Sequence, residues 1–285
     1  DLKAKRHTNL PCVGCTLPQV FDQLTIGAQV WIDDGQIGAR VTELTGAGTL
    51  LTIMQSPPDG KKIRADKGLN FPDTDLAIAP LTAKDYDDLR FVARHADMIG
   101  YSFVQSAADV ALLQDALAQH LPADRPMPAL VLKIETKRAI RNLPEIIVQS
   151  AARLPTAVMI ARGDLAVELG YARLAEMQEE ILWLCEAAHV PVIWATQVLE
   201  SLAKQGTPSR AEVSDVVLAD RAECVMLNKG PYITAAVRWL DDVLLRVQAN
   251  QHKQSARLRA LRSWQELFSD VPDRAASRLL ADDEI

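Results

Sequence analysis

Residues 129–136 read ALVLKIET, and residues 156–168 read TAVMIARGDLAVE. Each is a short apolar run that ends in charge: Lys133 and Glu135 on the first, Arg162, Gly163 and Asp164 on the second. Continuous apolar strands, unlike alternating ones, belong to a parallel sheet covered on both faces. Side chains alternate along a strand, so Leu132 and Ile134 share one face while Lys133 and Glu135 share the other. The apolar pair can pack beneath helices, which leaves the lysine and glutamate for the opposite face and the strand's C-terminal edge. Paired carboxylates beside a cation build a core poorly, but they suit a hard divalent ion and a phosphate.

The same pattern recurs on either side. An apolar strand spans 97–104, further strands span 190–195 and 223–227, and helical periodicity separates each from the next. Thr82 with Asp85 and Ser106 with Asp109 have the spacing of capping boxes at helix starts. Over 171–188, Leu174, Met177, Ile181 and Leu184 fall on one helical face, and Val237, Leu240, Leu244 and Val247 do so in the last helix. Polar residues close each strand: Ser102, Glu135, Asp164, Thr196 and Asn228. Repeats of roughly 30 residues are the length of a βαβ unit. The expected fold is therefore α/β, of the (β/α)8 TIM-barrel type but incomplete, with about five units over residues 81–248. A doubly wound sheet would also present ligands at that edge, but no Gly-rich phosphate loop follows an early strand.

Residues 1–24 show no periodicity and read as loop or a strand remnant. Residues 25–80 read as a small β region. Val30–Ile32 and Ile37–Val41 flank Asp33-Asp34-Gly35-Gln36, a hairpin signal, and Leu50–Met54 forms a further strand. The basic run Lys61–Gly68 has a simple reading as a charged edge strand and a sharper one as a phosphate contact. Residues 249–285 read as a terminal helix and tail.

Composition narrows the function. The 285 residues carry a net charge of −6, which disfavours a nucleic-acid binder, since phosphate backbones need a concentrated basic surface. No apolar run reaches the roughly 18 residues of a membrane span, and no secretory segment opens the chain. A start at Asp1 suggests a processed or partial chain. Four cysteines are too few for a disulfide framework and fit a reducing cytoplasm. Cys185 and Cys224 lie in apolar runs and read as core thiols. Cys12 and Cys15, with His7 nearby, have the spacing of half a zinc site, but no second pair completes it, so a loop with two free thiols is the preferred reading.

These motifs resemble the pyruvate kinase family over roughly residues 25–248. The matching stretches include VWIDDGQI (30–37), ADKGLNFPDTDL (65–76), SFVQSAADV (102–110), LKIET (132–136), MIARGDLAVE (159–168), PVIWATQVLES (191–201) and PSRAEVSD (208–215). The resemblance implies a small β lid domain over residues 25–80. It also implies phosphoryl transfer from phosphoenolpyruvate to ADP, giving pyruvate and ATP, with Mg²⁺ and possible use of K⁺, in a homo-oligomer. It makes Glu135 and Asp164 the Mg²⁺ ligands and Lys133 the cation on the phosphoryl group. Arg162, Gly163 and Asp164 become substrate contacts, Gly163 with its neighbour's amide cradling the carboxylate. Thr196 becomes the hydroxyl near the enolate carbon, and Lys67 a nucleotide contact. Departures from the family pattern are Gln105 after SFV, the segment Leu227-Asn228-Lys229-Gly230-Pro231 in place of S-G-E-T, and the lack of an N-x-S/D-T potassium motif in residues 1–24. Two alternatives stand beside a phosphotransferase: a pyruvate-forming aldolase or lyase on the same metal rim, and a degenerate barrel that binds a metabolite or partner without catalysis.

Overall fold

Apolar patterning sorts the chain into two sheets. A computed structural model describes residues 10–46 and 48–248; His7 and the expected tail at 249–285 lie outside the described residues. The first sheet is antiparallel and comprises β1 (Gln29–Ile32), β2 (Ile37–Thr45), β3 (Gly48–Gln55) and β4 (Leu69–Asn70), in the order β3-β2-β1-β4. The hairpin signal at 33–36 lies between β1 and β2 as expected. Asp33, Asp34 and Gly35 all adopt positive φ there, the conformation that Asp and Gly tolerate best in tight hairpin turns. A 3-10 helix, Pro18–Gln23, delivers Val20 to a small core with Val30, Ile32, Ala39, Val41 and Phe71.

The second sheet is parallel, with β5 (Met98–Tyr101), β6 (Ala129–Ile134), β7 (Thr156–Ala161), β8 (Val192–Val198) and β9 (Cys224–Leu227) in sequential order. Sequential order is the outcome of right-handed crossovers through helices. The helices are α1 (Ala83–His95), α2 (Ala107–His120), α3 (Lys137–Arg141), α4 (Leu143–Ala151), α5 (Arg162–Leu169), α6 (Tyr171–Ala187), α7 (Glu200–Gln205), α8 (Arg210–Ala219) and α9 (Ile233–Gln248). Both expected capping boxes form, Thr82 with Asp85 and Ser106 with Asp109, and Ser209 with Glu212 adds a third at α8. Leu130, Leu132, Ile134, Val158, Ile160 and Trp194 are fully buried in one core beneath the helices. Truncating one of these leucines to alanine would cost about 2–5 kcal/mol.

Register sets the functional edge. Tyr101 pairs with Leu132, Ile134 with Ile160, and Ile160 with Trp194. One step further along each strand therefore brings Glu135, Ala161 and Ala195 level, and the next step brings Arg162 level with Thr196. The two sheets meet near the same edge. Asn70 Nδ2 donates to Asp164 Oδ1 at 3.2 Å, Lys137 Nζ donates to the Pro72 carbonyl at 3.2 Å, and Arg138 pairs with Asp75 at 3.1 Å. Gly35 fits against α5, where a β-carbon would lie 3.2 Å from Val167 Cγ2.

Several expectations change. The run 61–68 forms no strand; Lys61 and Lys67 turn inward to Asp33 instead, so its charge is spent locally rather than on a sheet edge. Cys224 is exposed rather than in the core, because β9 is an edge strand among the described residues and its alternate positions face outward. Val237 is likewise exposed, since α9 buries the stripe through Ala236 and Leu240. β5 is shorter than 97–104, and β8 continues three residues past Ala195.

Candidate active site

Lys133 and Glu135 meet at the end of β6. Lys133 Nζ lies 2.8 Å from Glu135 Oε1 and donates to Ser102 Oγ at 2.7 Å. The other Glu135 oxygen accepts from the Phe103 amide, at the end of the neighbouring strand. Glu135 is only 2% exposed. Burial pushes its carboxyl above the ordinary range; Lys133 and the Phe103 amide oppose that shift, and the Asp164 charge reinforces it. The two carboxylates are thus close enough to repel, an arrangement that a divalent cation would relieve.

Asp164 occupies the first turn of α5, where a carboxylate complements the helix dipole. No side chain caps this eight-residue helix, and the amides of a first turn have no partner within the helix. Gly163 sits between them with its α-carbon against Thr196: a β-carbon there would lie 2.9 Å from Thr196 Cγ2. Any larger residue would have to push the threonine away. Glu168, one turn past Asp164, is also raised by burial, an effect that the Lys137 charge and amide offset.

Thr196 itself has a φ of 76°, and Gln197 and Leu199 are also left-handed at 59° and 48°. A β-branched residue in that region carries strain on the order of 1–3 kcal/mol and persists only where its surroundings over-determine it. The restraint here is Arg162. Its Nε donates to the Ala195 carbonyl at 2.8 Å and one terminal nitrogen to the Thr196 carbonyl at 2.6 Å. Both terminal nitrogens also grip Asp215 as a fork, and the guanidinium stacks 4.6 Å above the Trp194 ring. The side chain of Arg162 therefore faces β8 and α8, away from Lys133. Lys67 pairs with Asp33 at 2.7 Å, and Lys61 and Lys67 together hold that carboxyl below its usual range.

The residues fit a divalent metal by the chemistry of their donors. Two carboxylates from adjacent strand ends match a magnesium site that completes its shell with water and substrate oxygens. Among the described residues no group of three or more His, Cys, Asp or Glu side chains is gathered to hold a metal. Cys12 and Cys15 are free thiols that donate to the carbonyls of Leu10 and Leu17. Among the described residues no helix is long and apolar enough to cross a membrane.

Sequence reading missed three contributors: Asn70, Asp215 and the Phe103 amide. Asn70 and Asp215 lie inside recognised motifs, 65–76 and 208–215, but nothing local shows that they reach Asp164 and Arg162. A backbone amide leaves no trace in the sequence at all.

A five-stranded parallel sheet whose C-terminal edge gathers a buried carboxylate, a cation and a helix N-terminus defines an α/β domain of the kind that presents ligands at its strand ends. Comparison with known proteins agrees. The model of the family described as "Pyruvate kinase, barrel domain" matches residues 1–237. The chain is 35% identical over 241 residues to a pyruvate kinase of Agrobacterium vitis, covering 82% of this chain and 47% of that protein. It is 36% identical over 231 residues to one of Naumovozyma castellii (78% and 44%) and 32% identical over 250 residues to one of Geobacillus stearothermophilus (85% and 41%). The chain belongs to the pyruvate kinase family. It spans less than half the length of these relatives.

Proposed function

We propose that this chain is the catalytic portion of a Mg²⁺-dependent phosphotransferase that moves a phosphoryl group between phosphoenolpyruvate and ADP, yielding pyruvate and ATP. The observation that carries the reading is the single edge shared by Lys133, Glu135, Asp164 and the uncapped start of α5. Glu135 and Asp164 would hold the magnesium, whose charge offsets that of phosphoryl and enolate oxygens when bound. Lys133 supplies a compact cation for the phosphoryl oxygens. The first-turn amides of α5, with Gly163 keeping the approach open, cradle the substrate carboxylate. Thr196 presents its hydroxyl beside that cradle.

Lys67 contacts the nucleotide in this reading, exchanging Asp33 for a phosphate. The antiparallel sheet acts as the lid, already joined to the rim through Asn70 and Asp164. Arg162 contributes through its backbone and through Thr196, since its guanidinium donates to β8 carbonyls and Asp215.

Calorimetric titration of the encoded full-length protein with ADP tests the nucleotide half of the proposal. Saturable ADP binding that weakens in Lys67→Ala supports a kinase. Binding of oxalate with no binding of ADP would favour a pyruvate-forming lyase on the same rim.

A further inference from the structure

The left-handed backbone of Thr196 is held by a clamp in which Trp194 and Asp215 stand behind Arg162. Trp194 is fully buried two residues before Thr196. Its ring is the platform beneath the Arg162 guanidinium, and its indole N–H donates to Asp215 Oδ1 at 3.3 Å. Asp215, on α8, receives the guanidinium fork as well. One carboxylate and one ring therefore fix the plane, position and charge balance of Arg162. Arg162 in turn holds two consecutive carbonyls, those of Ala195 and Thr196, at 2.8 and 2.6 Å. That grip holds a β-branched residue at a φ of 76°, with its methyl group turned toward Gly163.

We propose that Trp194 and Asp215 are positioning residues for Thr196, acting through the Arg162 guanidinium. The inference rests on the phosphotransferase reading for its catalytic consequence, but its structural content stands independently. Neither side chain is placed to touch substrate. Their part is to hold the Thr196 hydroxyl at the rim, where small displacements of a reacting or proton-handling group are costly. Trp194 contributes shape and the aromatic face, and Asp215 contributes the charge without which a guanidinium this enclosed would lack a counter-ion.

The test uses the encoded full-length protein with Asp215→Asn and Trp194→Phe, each alone and each combined with Thr196→Ala. Each single variant should lower kcat roughly ten- to a hundredfold, with KM for phosphoenolpyruvate nearly unchanged. In the Thr196→Ala background neither should lower kcat further, because the group they position is gone. A full additional loss in that background would overturn the inference, and so would an unaffected kcat in Thr196→Ala itself. Trp194→Phe removes the indole N–H that donates to Asp215 and shrinks the ring beneath the guanidinium, so it serves if Asp215→Asn does not fold. A crystal structure of either variant supplies a readout independent of turnover. Thr196 should relax out of positive φ; an unchanged Thr196 backbone would refute the clamp even in a protein with no kinase activity. Absence of pyruvate formation by the unaltered protein would count against the phosphotransferase reading alone, leaving the clamp to be decided by that crystal structure.

Discussion

The Lys133 ammonium lies 2.8 Å from Glu135, a carboxylate that is almost wholly buried at the end of β6. In the proposed mechanism the lysine serves the transferred phosphoryl group, and its charge and hydrogen bond also oppose the upward shift that burial imposes on Glu135. Replacing Lys133 with alanine in the encoded full-length protein should remove about 3–4 kcal/mol of transition-state stabilisation, a fall in kcat of roughly 10²–10³. Melting temperature should fall as well, because a buried carboxylate loses its partner. Steady-state kinetics with a thermal melt on the same sample checks both; unchanged kcat would remove Lys133 from the chemistry.

Gly163 and Thr196 form a second pair. Gly163→Ala places a β-carbon 2.9 Å from Thr196 Cγ2, and overpacking of this kind costs about 1–3 kcal/mol. Thr196→Ser deletes that methyl and keeps the hydroxyl. The double variant Gly163→Ala/Thr196→Ser should therefore recover much of the stability lost by Gly163→Ala alone, as read by denaturant melts. Additive losses would show that the close approach is not what excludes a side chain at 163.

Asn70 links the antiparallel sheet to Asp164, a proposed metal ligand, by its hydrogen bond to that carboxylate. Groups that orient a ligand typically contribute 10–100-fold to metal affinity. Asn70→Ala should weaken Mn²⁺ binding, measured by paramagnetic titration as a stand-in for Mg²⁺, by about tenfold or more. Affinity equal to that of the unaltered protein would separate Asn70, and with it the antiparallel sheet, from the site.

Much of this site was legible in the sequence because strands have a period of two. That period alone placed Lys133 and Glu135 on one face with Leu132 and Ile134 on the other, and the strand ends placed Asp164 and Thr196 at the same edge. What was not legible depends on contacts distant in sequence. The Arg-Gly-Asp run reads as a charged strand end, yet Arg162 opens a helix and its guanidinium finds Asp215, 53 residues on. The left-handed turn at Thr196 has no glycine to announce it. Lys67 sits in a basic run that suggested an exposed edge, and only the fold shows Asp33 drawing it in. Cys224 lies in an apolar run that looks buried, but its strand is an edge.

The thiols offer a check that needs no substrate. Burial pushes the Cys185 thiol up to about 12, with the Glu223 charge adding to the shift. Only the thiolate reacts, so at pH 8 roughly one Cys185 in ten thousand is competent, and it is enclosed as well. Its thiolate fraction should rise about tenfold per pH unit until that high value is approached. Native protein at pH 8 should therefore label rapidly at Cys12 and Cys224, whereas Cys185 should label only after denaturation; mass spectrometry of the labelled peptides distinguishes them. Fast native labelling of Cys185 would contradict its placement in the core.

The most direct test is ATP formation by the encoded full-length protein supplied with phosphoenolpyruvate and ADP, with and without Mg²⁺. ATP and pyruvate should appear in equal amounts, should require the metal, and should be nearly abolished by Glu135→Gln. Pyruvate formed without ATP, or no Mg²⁺-dependent product at all, would contradict a phosphotransferase built on the Lys133–Glu135–Asp164 edge.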